Sequence, residues 1–506
     1  MAGELLLTGS TLLFLTVSAW WLSVDSRVPD GDNGRHLLIA FDYLEHLRAG
    51  DIFAPIEAWT EYAPLVHVVA AIGPLVTDGG IAAAIMSENL AFVPLLVLGC
   101  YGAGRVAFNR RVGVLAGIFA LASPMIISLF HVLMLDAPTA ALVAVAVWLL
   151  LASRRFADTR CSILAAVAVI LGFYAKQTFV FFVLGLIAVI LIRGGWRHWR
   201  KFLVFLGIVL VFVQPWYFMH YFDLRGQAEG AIVGAEPSWY DNVPYPERWS
   251  VHNFTWYAWN FLNNQVYLPL FLFFLVGLAV ALWVLVRRHE PAGYLPELLV
   301  GGAVAYLAIS LKDLDDPRYS LPVLVYAALI GTFWIERVRP VAALAVTGAL
   351  VAVFLVNVVM ISFGKGDDVV IDTPNSVESP IGQWRFTVVN PGGYTIGKPH
   401  RHGGGSAFED AFRRAREMGF ERVVLQPESL NTGGYNLNGL GVLAYAAGLE
   451  YAGYKTEDVE PNGIYVFRAA PEQVRGFGPC LVSFDNTGIY FMDGPPPGGK
   501  LFCPVP

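Results

Sequence analysis

Long apolar runs separated by short polar connections dominate the first 360 or so residues. Runs long enough to cross a bilayer, or nearly so, fall at about 4–23, 81–104, 112–133, 135–152, 161–175, 178–193, 201–219, 265–286, 294–311, 319–335 and 340–362. The pattern predicts eleven transmembrane helices. Those at 161–175 and 178–193 are short for a span of about 20 residues, and read as packed helices meeting at a turn around Lys176 and Gln177. The first long polar break, 24–67, holds a stretch with helical apolar spacing. Leu37, Leu38, Phe41, Leu44 and Leu47 lie on one side, with Arg35, Asp42, Glu45 and His46 mostly on the other. Such a helix lies in the membrane–water interface, too polar to span and too apolar to leave. Asp32 or Asn33 is placed to cap it from Gly34 onward. Pro64 sits naturally in the first turn of a following helix.

After about Gly364 the alternation becomes that of a water-exposed domain. An amphipathic helix through SAFEDAFRRAREMGF has Gly419 as its C-terminal stop. Short strands follow at Arg422–Gln426 and Ile464–Arg468, with a third at Gly488–Met492. The expected fold is therefore mainly α: a polytopic membrane protein with about eleven transmembrane helices over 1–363 and a small α+β unit over 364–506.

Composition agrees. Of 506 residues, 56% are hydrophobic and 15% charged, and mean hydropathy is +0.55; a water-soluble chain carries about 25% charge. The first apolar run has no preceding Lys or Arg and no small-residue cleavage site, so it reads as an anchored helix. Basic residues set the orientation. Arg105, Arg110 and Arg111; Arg154, Arg155 and Arg160; Arg193, Arg197, Arg200 and Lys201; Arg287 and Arg288; Arg337 and Arg339 all fall on one side if the N-terminus is cytoplasmic. The other side then carries the 24–80 and 220–264 loops, Asp136, Lys176, the Lys312–Arg318 turn and the C-terminal unit, outside a plasma (inner) membrane. Cys480 and Cys503 would share that oxidising side, where they can pair as a disulfide. Cys100 and Cys161 would stay reduced. No nucleic-acid partner is expected.

Ionisable groups beside spans are costly and usually have a partner or a function. Asp136, just before Ala137-Pro138, reads either as a helix N-cap or as a functional carboxylate. Three aspartates in eight residues, Asp25, Asp30 and Asp32, exceed what one cap requires, which favours a catalytic role for Asp32. Lys176 is either a snorkelling lysine or a point charge for a lipid phosphate. Arg318 can pair with Asp313, Asp315 or Asp316, or fork onto phosphate oxygens. Glu61 and His67, with His252 or His220, are candidate ligands for a divalent metal. Glu88 and Asn89 read as buried helix–helix contacts, and Asn253-Phe254-Thr255 as a chance glycosylation sequon.

The order of these residues resembles that of the GT-C superfamily of polyprenyl-phosphate-dependent glycosyltransferases, most of all the branch of protein O-mannosyltransferases and lipid A aminoarabinose transferases. The resemblance covers about residues 1–335. It rests on an acidic first outer loop followed by a helix and Gly50-Asp51, then Glu61-x-x-Pro64-Leu65 and Leu135-Asp136-Ala137-Pro138. Ala175-Lys176, Gln214-Pro215-Trp216, Pro317-Arg318-Tyr319 and Leu321-Pro322 complete it. It implies a catalytic base in the first loop, at Asp32 by motif. Asn33 replaces the usual second acid of that motif, which leaves Asp30 as the other choice. It further implies a second carboxylate at Asp136, phosphate-binding cations at Lys176 and Arg318, and, in some members, a metal held by the glutamate matching Glu61. The implied activity is inverting transfer of a sugar from a polyprenyl-phosphate donor to a lipid, glycan or protein acceptor. The alternatives are an oligosaccharide ligase or polymerase of related fold, and a lipid-sugar flippase or transporter.

Overall fold

The computed structural model describes residues 2–57, 60, 62–77, 79–221, 249–287, 293–311, 316–365, 367–372, 385–391, 398–399, 404–425, 437–451, 463–469, 481–482, 488–492 and 501–502. Its helices are α1 (Ala2–Val24), α2 (Gly31–Arg48), α3 (Ala54–Glu57), α4 (Leu65–Thr77), α5 (Ile81–Ala107), α6 (Arg110–Leu121), α7 (Pro124–Leu129), α8 (Asp136–Ala152), α9 (Thr159–Ala175), α10 (Phe179–Ile192), α11 (Trp199–Met219), α12 (Val251–Asn260), α13 (Tyr267–Arg287), α14 (Leu295–Ser310), α15 (Leu324–Phe333), α16 (Pro340–Phe363), α17 (Gly404–Glu417) and α18 (Leu437–Ala446). Six helical stretches among the described residues are long and apolar enough to cross a membrane: Ala2–Val24, Ile81–Ala107, Gly195–Met219, Asn253–Arg287, Pro317–Arg337 and Pro340–Phe363. Five more, α4, α8, α9, α10 and α14, are apolar but shorter. The chain is a multi-span membrane protein.

Where the helices depart from the expected spans, backbone chemistry explains it. The run at 112–133 divides at Ser123-Pro124. Pro124 has no amide to continue α6, and the Ser123 hydroxyl accepts the Ile126 amide to start α7. The run at 265–286 begins inside a π-helical segment, Phe261–Val266, and α13 opens at Tyr267 with φ of 57°. The span at 319–335 is an α-helical core between two 3₁₀ turns, Pro317–Val323 and Trp334–Arg337. The helix expected from Pro64 onward is Leu65–Thr77, apolar although it falls within the 24–80 stretch assigned to an outer loop. It lies antiparallel to the start of α5, and the Ser87 hydroxyl donates to the Val69 carbonyl across the pair at 2.7 Å.

Close backbone approach drives packing where lipid supplies no hydrophobic force between helices. A Cβ on Gly99 would sit 2.5 Å from the Ala144 carbonyl carbon, so α5 and α8 meet almost backbone to backbone. Asn357 of α16 donates to the Ala122 carbonyl at 2.8 Å, and Asn89 of α5 to the Phe130 carbonyl at 2.8 Å. Asn89 therefore makes the interhelical contact expected of it. At the end of the bundle away from Lys176, buried Glu297 accepts from Arg155 at 2.8 Å and pairs with Arg193 at 3.2 Å. The Arg154–Phe156 turn stands beside it, with all three residues at positive φ. These arginines belong to the basic connections, so that end carries part of the positive charge on which the orientation rests.

The C-terminal unit is α+β as expected. Strands β1 (Val369–Asp372) and β2 (Arg385–Val389) form an antiparallel pair. The larger sheet holds β3 (Arg422–Leu425), β4 (Glu450–Tyr451), β5 (Gly463–Ala469), β6 (Leu481–Val482), β7 (Gly488–Met492) and β8 (Leu501–Phe502), in the order β4-β3-β5-β7-β6 with β8 also on β7. Neighbours β3–β4 and β3–β5 are parallel and the rest antiparallel. Helices α17 and α18 cover it through Phe408, Phe412, Leu440, Leu443 and Ala444. Gly419, at φ of +95°, ends α17 in the left-handed conformation that its type favours. Cys480 and Cys503 lie outside the described residues; Cys100 and Cys161 are free thiols.

Candidate active site

Four elements distant in sequence bring their charged groups to one end of the bundle. Helix α2 begins earlier than expected, at Gly31. Asp30 stands at its N-cap position without a side-chain cap bond, and Asp32 lies in the first turn. Asn33 caps nothing; its side-chain oxygen accepts the Leu133 amide at 3.0 Å and ties α2 to the segment that leads into α8. Asp32 is thereby left to face Arg318, whose Nη2 donates to Asp32 Oδ2 at 2.5 Å. Arg318 sits in the 3₁₀ turn that Asp316 starts. Asp316 accepts both the Arg318 amide at 3.0 Å and its Nε at 2.7 Å.

Lys176 follows α9 in extended conformation and donates through Nζ to Asp136 Oδ1 at 2.6 Å. Asp136 is only 4% exposed, and Leu135 rather than Asp136 holds the N-cap position of α8. The capping reading of Asp136 thus gives way to a buried ion pair, and the snorkelling reading of Lys176 gives way with it. The two pairs share a floor. Lys176 Nζ lies 4.8 Å from the centre of the Tyr319 ring, and the Arg318 guanidinium carbon 5.5 Å from the same ring. Behind them, the Gln265 amide donates to the Pro317 carbonyl at 2.6 Å and to the Ser320 hydroxyl at 2.7 Å, fixing the turn that presents Arg318.

Asp30 is adjacent but makes no cap bond or ion pair to this cluster. The residue is exposed, yet desolvation by the surrounding protein raises its carboxyl above the usual carboxylate range, with Arg27 pulling the other way. One turn beyond Asp32, buried His36 meets His67 of α4, Nδ1 to Nε2 at 3.0 Å, with the Tyr62 ring 4.6 Å from His36. Burial, then His67, Lys176 and Arg318, push His36 well below the usual imidazole range, which keeps its ring neutral beside the cations.

The metal set has a different outcome. Glu61 and the side chain of His252 lie outside the described residues, His67 spends Nε2 on His36, and His220 Nε2 stands 3.3 Å from the Ile56 carbonyl. Among the described residues no three His, Cys, Asp or Glu side chains converge as metal ligands. Asn253 is likewise no glycan acceptor: its amide is buried and donates to the Ser310 carbonyl at 2.5 Å.

Asn33, His36, Gln265 and Asp316 were not singled out as site residues from the sequence. Asp316 carried a signal, as one of three acids beside Arg318. Gln265 carried a fainter one, a lone amide entering an apolar run. Asn33 stood out only as a cap candidate and as the replacement for the motif's second acid, and nothing local distinguishes His36.

Comparison with known proteins bears on the fold. Residues 61–218 match the family model described as dolichyl-phosphate-mannose-protein mannosyltransferase. No curated protein matches the sequence. The fold is similar to ArnT from Cupriavidus metallidurans in the apo state, with a TM-score of 0.56 at 15% identity, over 89% of this chain and 86% of that one. ArnT from the same organism bound to undecaprenyl phosphate matches with a TM-score of 0.50 at 19% identity, over 67% of this chain and 62% of that one, so this match spans less than two thirds of the ArnT chain. The archaeal oligosaccharyltransferase AglB from Archaeoglobus fulgidus, in complex with an inhibitory peptide and a dolichol-phosphate, matches with a TM-score of 0.50 at 11% identity, over 87% and 64%. The expectation read from the order of motifs is borne out at the level of fold: the chain is a polytopic membrane protein with a fold like that of ArnT.

Proposed function

We propose that the protein transfers a sugar from a polyprenyl-phosphate donor to an acceptor at the outer face of the membrane, with inversion. The observation that carries this reading is the pair of cations, Lys176 and Arg318, brought from separate elements to one Tyr319 ring, with Arg318 paired to Asp32. ArnT bound to undecaprenyl phosphate and AglB with a dolichol-phosphate, both of similar fold, support a lipid phosphate as the donor's chemistry. In this reading residues 1–363 are the catalytic unit, with the N-terminus cytoplasmic and residues 364–506 outside.

The charges suggest the sequence of events. Without donor, each cation is satisfied by a carboxylate: Lys176 by Asp136, Arg318 by Asp32 and Asp316. A phosphate entering over Tyr319 competes for the guanidinium and releases Asp32. The freed carboxylate takes the proton from the acceptor as its oxygen or nitrogen attacks the anomeric carbon. The bond from that carbon to the phosphate oxygen breaks, and the polyprenyl phosphate leaves with the bonding electrons, its growing charge held by Lys176 and Arg318. One displacement of this kind inverts the anomeric centre.

Binding to the purified protein in nanodiscs tests the donor chemistry. Undecaprenyl phosphate is expected to bind at least about 10²-fold more tightly than undecaprenol, since each charge-assisted hydrogen bond is worth roughly 1.5–3 kcal/mol. Equal binding of the phosphate and the alcohol would remove the cations from the donor site.

A further inference from the structure

The C-terminal unit does not hang free of the candidate active site. Helix α18 has two working faces. Leu440, Leu443 and Ala444 enter its own domain core, while Val442 is buried in the core of the membrane bundle and Tyr445 packs against that core. Gly439, Val442 and Tyr445, three residues apart in turn, form the second face, and this face lies on α2. Near the start of α2 the contact is between backbones. A Cβ on Gly34 would lie 2.7 Å from the Gly439 amide nitrogen, and a Cβ on Gly439 would run into the Pro29 carbonyl oxygen. Val28, one residue earlier, packs against the C-terminal core. Farther along α2, the Tyr445 ring stacks on Phe41 with centres 4.9 Å apart. Its hydroxyl donates to the Glu45 carboxylate and also stands 3.3 Å from the Phe41 carbonyl.

From this we infer that the C-terminal unit is a positioning clamp for the helix that carries Asp32, acting through Gly439 and Tyr445. The inference rests on the proposed role of Asp32. On its inner side α2 is tied by Asn33 to the segment before α8 and by His36 to α4. On the other side the described contacts come from α18, which reaches the chain three residues before Asp32 and again nine residues after it. Held from both sides, the first turn of α2 keeps Asp32 at the distance from Arg318 that the chemistry requires. Neither Gly439 nor Tyr445 touches the reacting groups; both act through α2. The C-terminal unit would then be required for turnover while making no contact with the donor phosphate.

The test uses the full chain in proteoliposomes, with Gly439→Val to wedge the backbone contact, Tyr445→Ala to remove the stack, and Tyr445→Phe to keep the ring. Three quantities are read: kcat for sugar transfer, affinity for undecaprenyl phosphate, and amide exchange across residues 31–41. In Gly439→Val and Tyr445→Ala, kcat is expected to fall about 10–10²-fold, the scale of an ångström-size displacement of a catalytic group. Donor affinity should hold, exchange in α2 should quicken, and Tyr445→Phe should recover most of the rate. Wild-type kcat in either folded variant overturns the clamp, as does a loss of donor affinity in step with kcat. If Gly439→Val does not fold, Tyr445→Ala decides the matter. If the wild-type protein transfers no sugar at all, the proposed reaction fails and exchange alone judges the clamp: faster exchange in α2 upholds it and unchanged exchange overturns it.

Discussion

Asp32→Asn should yield a folded protein that still binds undecaprenyl phosphate but transfers sugar about 10²–10⁴ times more slowly, the range for loss of a positioned general base. The substitution keeps the shape of the side chain and one acceptor for Arg318 while removing the proton acceptor. The structure makes the experiment cleaner than the sequence did. A cap would cost about 1 kcal/mol on loss, but Asp32 is not the cap of α2, and Asp30, which holds that position, makes no side-chain cap bond. Asp30→Asn is the internal control. It stands outside the Arg318 pair and is expected to retain most activity. Full activity in Asp32→Asn with none in Asp30→Asn would move the base by two residues; full activity in both would take the first loop out of the mechanism.

The second large effect belongs to Lys176 and Asp136. Their side chains are 14% and 5% exposed, so the pair is held in a desolvated place. Removing one partner strands the other charge there, at a cost of about 3–5 kcal/mol, whereas replacing both with neutral groups of similar shape is often close to neutral. Lys176→Met and Asp136→Asn should each lower the melting temperature markedly, and the double variant should recover most of it. Stability and function then part company. The recovered double variant lacks the phosphate cation and should neither bind undecaprenyl phosphate well nor transfer sugar. Recovery of transfer along with stability would mean that the pair only holds α8 to α9, and the donor phosphate would have to be sought elsewhere.

How much of this was legible in the chain differs from residue to residue. The apolar runs marked the bundle, and their polar punctuation marked Asp136, Lys176 and Arg318, because an ionisable group beside a span is rare enough to stand out. Their pairing was not legible. Lys176 meets Asp136 across 40 residues and Arg318 meets Asp32 across 286, separations that only the packed bundle closes. Each residue also had an adequate local explanation in capping, snorkelling or a neighbouring acid, and for Arg318 the neighbour proved real, since Asp316 and Asp32 share the guanidinium. The α6–α7 break was written in Ser123-Pro124, yet the run around it is apolar enough to hide it. Helix α4 was legible as a helix from Pro64, but at 13 residues it is too short to read as a span. The docking of α18 left the faintest trace, because its signal is one glycine and a tyrosine whose partners lie about 400 residues away.

The fate of a radiolabelled sugar, supplied on a polyprenyl phosphate to proteoliposomes of the purified protein with an acceptor extract, separates transfer from transport. Label should leave the lipid for the acceptor fraction, with one polyprenyl phosphate released for each sugar moved, and Asp32→Asn should abolish both in parallel. Label that stays on its lipid and only changes leaflet would make the protein a flippase and contradict the account. Label that moves only from a polyprenyl diphosphate would make it a ligase and contradict the account at its donor.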